Sequence, residues 1–291
     1  MTPPVSAAEP RPPSAEPARA DAATKTLVIA VEGGTCCERS DQVAVEEPLA
    51  VVVTYGPLDK RRRSTVSITM RTPGHDPDLA VGLLFAEQLV RQAGDVVAAE
   101  SFRGGTMVRI DLHPHVRLDL SRVERLGYAS SACGVCGKTS IDAIEAACEE
   151  LPRSALRVPP EVIHALPGRL RESQLTFART GGLHAAALFD CSGRLLSVRE
   201  DVGRHNAVDK VIGAELLAGR LPLADRILLV SGRAGFELIQ KAALARIPIF
   251  AAVGAPSSLA VSLAKRLDMT LIGFVRDSRF NIYSGAGRVV V

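Results

Sequence analysis

The sequence predicts an α/β protein, a mixed sheet with flanking helices preceded by a smaller α+β unit. Three observations predict it. Over the last hundred or so residues, short apolar runs alternate with stretches of helical periodicity, the pattern of parallel strands joined by right-handed crossovers. Earlier in the chain β-rich runs dominate and one helix is visible. Finally, 47% hydrophobic residues in a chain of 291 can bury a sizeable core and exclude disorder throughout. The expected division is a Pro/Ala-rich disordered tail over 1–25, the α+β unit over 26–125 and the α/β domain over 126–291.

The elements follow in order. Met1 to Asp21 carries repeated Pro and no apolar core of a signal peptide, hence the tail. Val43 to Thr54 and Thr65 to Met70 are β-rich runs joined through Tyr55-Gly56-Pro57 and a Lys-Arg cluster that reads as a solvated loop tip. A helix is predicted from about Asp76 to Val90, with Leu79, Leu83 and Val90 on one stripe, then a strand over Met107 to Leu112. Ala185 to Phe189 and Leu195 to Val198 form a hairpin around Ser192-Gly193. The helix Arg204 to Leu217 places Val208, Val211, Ile212 and Leu216 on one face. Strand Ile227 to Val230, helix Phe236 to Ala245, strand Ile247 to Val253, helix Ser257 to Leu267 and strand Thr270 to Val275 then alternate, and Phe280 to Tyr283 closes as an edge strand.

Composition limits the function. A net charge of +3, eight Phe, three Tyr and no Trp offer neither the concentrated basic charge nor the stacking surface of a nucleic-acid binder. Ile247 to Ala264 is uncharged and reaches the ~18-residue length of a membrane-span candidate. Pro248, Gly254, Pro256 and Ser257-Ser258 divide it, so buried α/β core is the reading. Six cysteines (Cys36, Cys37, Cys133, Cys136, Cys148 and Cys191) without an export signal point to the reducing cytosol, where a Cys pair serves redox, metal or catalytic chemistry.

The loudest local signal is Ser130-Ser131-Ala132-Cys133-Gly134-Val135-Cys136-Gly137-Lys138. Two thiols three residues apart, flanked by Gly and followed by Lys and a helix start, favour the reactive thiolate. Four readings compete. Structural zinc wants a second ligand pair, and no second Cys-x-x-Cys exists. A thioredoxin-like dithiol follows a strand, and Ser130-Ser131-Ala132 is a poor one. A zinc deaminase wants His-x-Glu and Pro-Cys-x-x-Cys, which are absent. The remaining reading is a carrier that holds sulfur as a persulfide on one cysteine.

Ligands of open α/β sheets gather beyond the strands' carboxyl ends, and three such loops are readable. They are Ser231-Gly232-Arg233-Ala234-Gly235, Gly254-Ala255-Pro256-Ser257-Ser258 and Arg276-Asp277-Ser278-Arg279-Phe280-Asn281. Free N–H groups at two helix starts, with Arg233, Arg276 and Arg279, predict a phosphate or diphosphate ligand. Arg199 to Lys210 is unusually polar; Glu200 and Asp201 are expected to favour the following helix dipole, and His205 is as well explained by core burial as by catalysis. Thr180-Gly181-Gly182-Leu183-His184 reads as a loop of close backbone approach, with His184 an acid/base, a ligand or a strand cap.

These segments, together with Val43 to Leu49, Met70-Arg71-Thr72-Pro73-Gly74 and Gly273-Phe274-Val275-Arg276, occur in an order that resembles the formate dehydrogenase accessory sulfurtransferase family, over about Asp41 to Ser284. The resemblance implies a cytidine-deaminase-like fold without deaminase chemistry, in a homodimer. It implies transfer of sulfur from a cysteine desulfurase to the molybdenum (or tungsten) bis(molybdopterin guanine dinucleotide) cofactor before that cofactor enters formate dehydrogenase. By position, Cys133 resembles the persulfide-bearing cysteine and Cys136 its partner. Phe274, Val275, Arg276, Asp277, Ser278 and Arg279 match the cofactor-binding stretch, a site a guanine nucleotide would also occupy, and Ser231, Gly232 and Arg233 join it. The departures are Ala132, the Cys36-Cys37 pair, which leaves an extra sulfur relay open, and the long tail. Two other classes stay open: a non-catalytic cofactor chaperone and a dithiol oxidoreductase.

Overall fold

The computed structural model describes residues 21–118 and 156–290. Three sheets organise them. Strands β1 (Ala23–Glu32) and β2 (Thr35–Ala44) form a two-stranded antiparallel ribbon. A four-stranded sheet, in the order β4-β3-β6-β5, is built from β3 (Glu47–Tyr55), β4 (Arg62–Arg71), β5 (Val96–Phe102) and β6 (Met107–Leu112). A six-stranded sheet takes the order β12-β11-β10-β9-β7-β8. Its strands are β7 (His184–Phe189), β8 (Leu195–Asp201), β9 (Ile227–Val230), β10 (Ile249–Ala252), β11 (Thr270–Arg276) and β12 (Arg279–Ser284). The middle three, β9, β10 and β11, are parallel, and the flanking strands are antiparallel.

Six α-helices lie among the described residues. They are α1 (Asp76–Ala86), then α2 (Pro160–Ser173), α3 (Leu175–Thr180), α4 (Arg204–Leu217), α5 (Phe236–Leu244) and α6 (Ser258–Arg266). Of these, α1, α4, α5 and α6 contribute to the core between the two larger sheets. One core joins Leu49, Val51 and Val53 of β3, Leu79 and Leu84 of α1, Val208 and Ile212 of α4 and Leu228 and Phe250 of the large sheet. Helix α1 lies within this layer and buries residues on every side, so its apolar pattern carries little stripe. The opposite face of the large sheet, through Ala187, Leu229, Ile249 and Ile272, packs on Ile163, Leu166 and Leu170 of α2.

Helix α1 crosses α4 at glycines. A Cβ on Gly213 would overlap the Asp78 carbonyl oxygen, and one on Gly82 would lie 2.6 Å from the Asp209 carbonyl carbon. Bare backbone at both positions lets the two helices touch. Polar contacts then tie α1 and the segment after β4 to the large-sheet side. Arg199 reaches Asp78 at 2.9 Å, and Lys210 donates to Asp201 at 2.7 Å and to the Thr72 carbonyl at 2.9 Å.

The structure revises several expectations. Strand β1 begins at Ala23, inside the segment read as tail, and Val43 to Thr54 is divided between two strands. The first helix stops at Ala86 rather than Val90. Arg61, read as part of a solvated tip, donates to the carbonyls of Thr54, Gly56 and Leu112 and pins that turn to the sheet. The uncharged run from Ile247 divides into β10 and α6, and no helix among the described residues is long and apolar enough to cross a membrane.

Candidate functional site

Parallel pairing of β9, β10 and β11 brings the three predicted loops to one sheet edge. Backbone hydrogen bonds lace them together: Gly254 N–H donates to the Gly232 carbonyl at 2.9 Å, and Phe274 N–H to the Gly254 carbonyl at 3.0 Å. Gly254 is required there, because a Cβ would fall 2.9 Å from the Gly232 oxygen. The lacing corrects the expectation of free donors. The N–H groups of Ala234 and Ser257 are engaged, with the carbonyls of Ala255 and Ala234. Helix α6 is capped by Ser257, whose Oγ accepts from Ala260 N–H, whereas α5 has no side-chain cap.

Antiparallel pairing adds β7 and β8 to the same edge. Ser231 exchanges hydrogen bonds with Ala185, its N–H to the carbonyl and its Oγ from the N–H, both at 2.9 Å. His184 therefore stands beside Gly232, and opposite Asp201 in the ladder. Arg204, which opens α4, flanks the same glycine; its Nε is buried with no partner among the described residues. Arg233 is exposed on the adjoining loop. A partly buried guanidinium beside an exposed one makes this part of the edge cationic, with forked donors of the kind that suit an anion.

The electrostatics are graded. Burial pushes the His184 imidazole below the ordinary histidine range, and the Arg204 and His205 charges push it further. His205 Nε2 lies 2.9 Å from Glu237 Oε2 at the start of α5, and that hydrogen bond holds the Glu237 carboxyl below the usual range. One helical turn on, Lys241 is 2.5 Å from Asp209; burial raises the Asp209 carboxyl and the ammonium opposes it. His205 is thus half-buried and hydrogen-bonded to a carboxylate. Glu200 does not serve α4: its carboxylate accepts from Thr176 and Phe177 N–H and caps α3 instead. Asp201 is fully buried, accepting from Thr72 N–H, Gly203 N–H, Asn206 Nδ2 and Lys210.

Of the predicted stretch at the β11 end, Phe274, Arg276, Asp277, Ser278 and Arg279 are exposed, while Val275 is buried in the core behind α2. Phe274 sits at a bulge in the β11–β12 ladder with left-handed backbone (φ 53°), presenting an aromatic side chain at the sheet edge. Arg276 donates to the Val253 and Val275 carbonyls, so part of its guanidinium braces the neighbouring strand end. Ser231, Gly232 and Arg233 lie on the same edge. Cys133 and Cys136, and Cys148 with them, lie outside the described residues. Cys36 and Cys37 occupy adjacent positions in β2, so they point to opposite faces of the ribbon; both are exposed. Arg204 and Glu237 were not singled out from the sequence; an Arg directly after Val202-Gly203 and a Glu one residue into α5 were the only signals.

The FdhD/NarQ family model matches residues 44–290. The chain belongs to the FdhD/NarQ family. It is 46% identical over 276 residues to a sulfur carrier protein FdhD of Streptomyces coelicolor, covering 91% of this chain and 94% of that one. Another, from Mycobacterium tuberculosis, is 45% identical over 264 residues, 86% of this chain and 92% of its own. A third, from Thermoplasma volcanium, is 42% identical over 260 residues, with 87% of this chain and 91% of its own covered. A crystal structure described as a formate dehydrogenase accessory protein, from Desulfotalea psychrophila, superposes with a TM-score of 0.73 at 24% identity, covering 93% of this chain and all of that one. That likeness supports the mixed α/β fold.

Proposed function

We propose that the chain is a cytoplasmic sulfurtransferase. In this reading it takes persulfide sulfur from a cysteine desulfurase and passes it to the molybdenum or tungsten bis(molybdopterin guanine dinucleotide) cofactor, as cargo, before that cofactor enters formate dehydrogenase. It would act as a homodimer on a deaminase-like α/β frame. The observation that carries the reading is the laced sheet edge, which gathers Arg233, exposed Phe274 and Arg204, whose buried Nε has no acceptor among the described residues. Such an edge suits a diphosphate flanked by a flat base. The names of the relatives support the sulfur-carrier part.

The chemistry belongs to Cys133 and Cys136. The Cys133 thiolate attacks the outer sulfur of the donor persulfide; the donor S–S bond breaks, its electron pair leaves with the donor thiolate, and Cys133 persulfide forms. Attack of the Cys136 thiolate on the Cys133 sulfur then expels the terminal sulfur as hydrosulfide. A Cys133–Cys136 disulfide remains for an external thiol to reduce. The cargo metal accepts that sulfide in exchange for an oxide ligand, which leaves as water after taking up protons. Arg233, Arg276 and Arg279 hold the nucleotide ends at the edge.

Mass spectrometry of the Cys133 peptide, after the purified chain is incubated with a desulfurase and cysteine, tests this. One extra sulfur on Cys133, lost on thiol reduction, is expected. Full activation of formate dehydrogenase by Cys133→Ser would contradict the assignment. Replacing Arg276 and Arg279 together by Ala should weaken guanine nucleotide binding about tenfold for each lost set of charged hydrogen bonds.

A further inference from the structure

Two apolar surfaces have no partner among the described residues. The first is on the β1–β2 ribbon, which pairs with no third strand among the described residues. Leu27, Ile29 and Val31 form one row of β1 and are 70%, 73% and 66% exposed. An isolated two-stranded ribbon is at best marginally stable in water, and an uncharged edge from Thr26 to Val31 is a template for association. The second is the face of the four-stranded sheet turned away from α1. Its ladder aligns Phe102, Met107, Ala50 and Ile68 in a row across all four strands. Ile68 is 63% exposed, Met70 on the next rung is exposed too, and the other three are only partly covered.

We infer that these two surfaces are each other's partners between two copies of this chain: the ribbon of one copy lies across the open sheet face of the second, and the exchange is reciprocal. Within one chain the ribbon points elsewhere. Its root is fastened to the large-sheet side, where Arg179 Nε donates to Gln42 Oε1 at 2.9 Å and Ala44 packs 3.5 Å from the Cβ position of Gly182. Dimensions agree with a dimer. Ten-residue strands paired side by side present a footprint of about 33 by 10 Å. Counting both surfaces and both reciprocal contacts, about 1,300 Å² is removed from water, within the range of specific interfaces. A twofold axis closes the exchange at two copies. The ribbon root adjoins the Gly181-Gly182 segment that leads into His184, so the contact would brace the site edge from the side of β7.

The inference rests on the homodimer proposed above and not on the sulfur chemistry. Sedimentation of the full chain at micromolar concentration should give a dimer. Ile29→Lys and Ile68→Lys, both at exposed positions, should each give monomer with unchanged circular dichroism. In a background with Cys36, Cys37 and Cys191 replaced by Ser, mixing an Ile29→Cys chain with an Ile68→Cys chain under oxidation should yield a disulfide-linked dimer, and neither chain alone should. A wild-type monomer would sink both the dimer and the exchange. A dimer that survives both Lys substitutions, or cross-linking by Ile29→Cys alone, would leave the dimer standing and overturn the exchange. Persulfide loading of Cys133 reads the sulfur chemistry separately from either result.

Discussion

Lys210→Met is the sharpest test of how the site edge is held. Lys210 is 1% exposed and its partner Asp201 is fully buried; their Nζ–Oδ2 distance is 2.7 Å. The same ammonium donates to the carbonyls of Thr72 at 2.9 Å and Glu200 at 3.3 Å. Methionine fills much of the same volume, so packing is nearly preserved and the loss is electrostatic. It leaves a buried carboxylate without its cation, which costs about 3–5 kcal/mol. Asp201 keeps three donors, Thr72 N–H, Gly203 N–H and Asn206 Nδ2, so the lower end, about 3 kcal/mol, is expected. In a chain of this size that lowers the melting temperature by about 6–12 °C. Urea denaturation should show the midpoint falling at constant slope. The double variant Asp201→Asn/Lys210→Met removes both charges and should recover at least about 1 kcal/mol of the loss. A single variant within about 0.5 kcal/mol of wild type, the range of ordinary surface changes, would refute the view that this pair locks α4, the end of β8 and the Thr72 segment together. So would a cycle with no coupling.

Two further outcomes are expected. Gly213→Ala forces α1 and α4 apart at the point where a Cβ meets the Asp78 carbonyl, and should destabilise by about 3 kcal/mol; a midpoint unchanged in denaturant would show that the crossing can relax. His184 should titrate below the ordinary histidine range in an NMR pH series, because burial and then the Arg204 charge favour its neutral form. Arg204→Ala should move it upward part of the way, with burial holding the remainder. Since the folded-state value is depressed, the stability contributed by the neutral ring is complete above the unfolded value of about 6.5. It is lost as pH falls through the folded value. A His184 titration unmoved by Arg204→Ala would separate the two side chains electrostatically.

Much of the large sheet was legible because its signals are local. Helix α4 spans Arg204–Leu217 and β9 spans Ile227–Val230, as the periodicity predicts, and β12 takes the edge position assigned to it. There an apolar period and turn residues coincide with what the tertiary fold buries. Strand β2, Thr35–Ala44, was missed because it buries almost nothing within the chain, so selection for a core face leaves no alternation to read. Helix α2 carries Pro167 inside it, a residue that reads as a helix breaker until its surroundings are known. The shared edge of Arg233 and Arg276 was legible because loops after parallel strands must meet there, whereas Phe274 was reached only through the family resemblance. Arg204 beside Gly232 and the His205–Glu237 pair were not legible, since each joins segments that meet only after the sheet has formed.

The amino-acid sequence alone determined which groups are available: the thiol pair Cys133 and Cys136, the loop glycines, the arginines and the strand-helix alternation, all properties of neighbours along the chain. The tertiary structure alone decided which of those groups lose water and which keep it. Asp201 and Lys210 became a buried lock, Glu200 a cap for α3, and Val275 part of the core, while Arg204 came to flank Gly232. The reason is that desolvation and partner distance depend on contacts between residues far apart in sequence, and no local pattern encodes them.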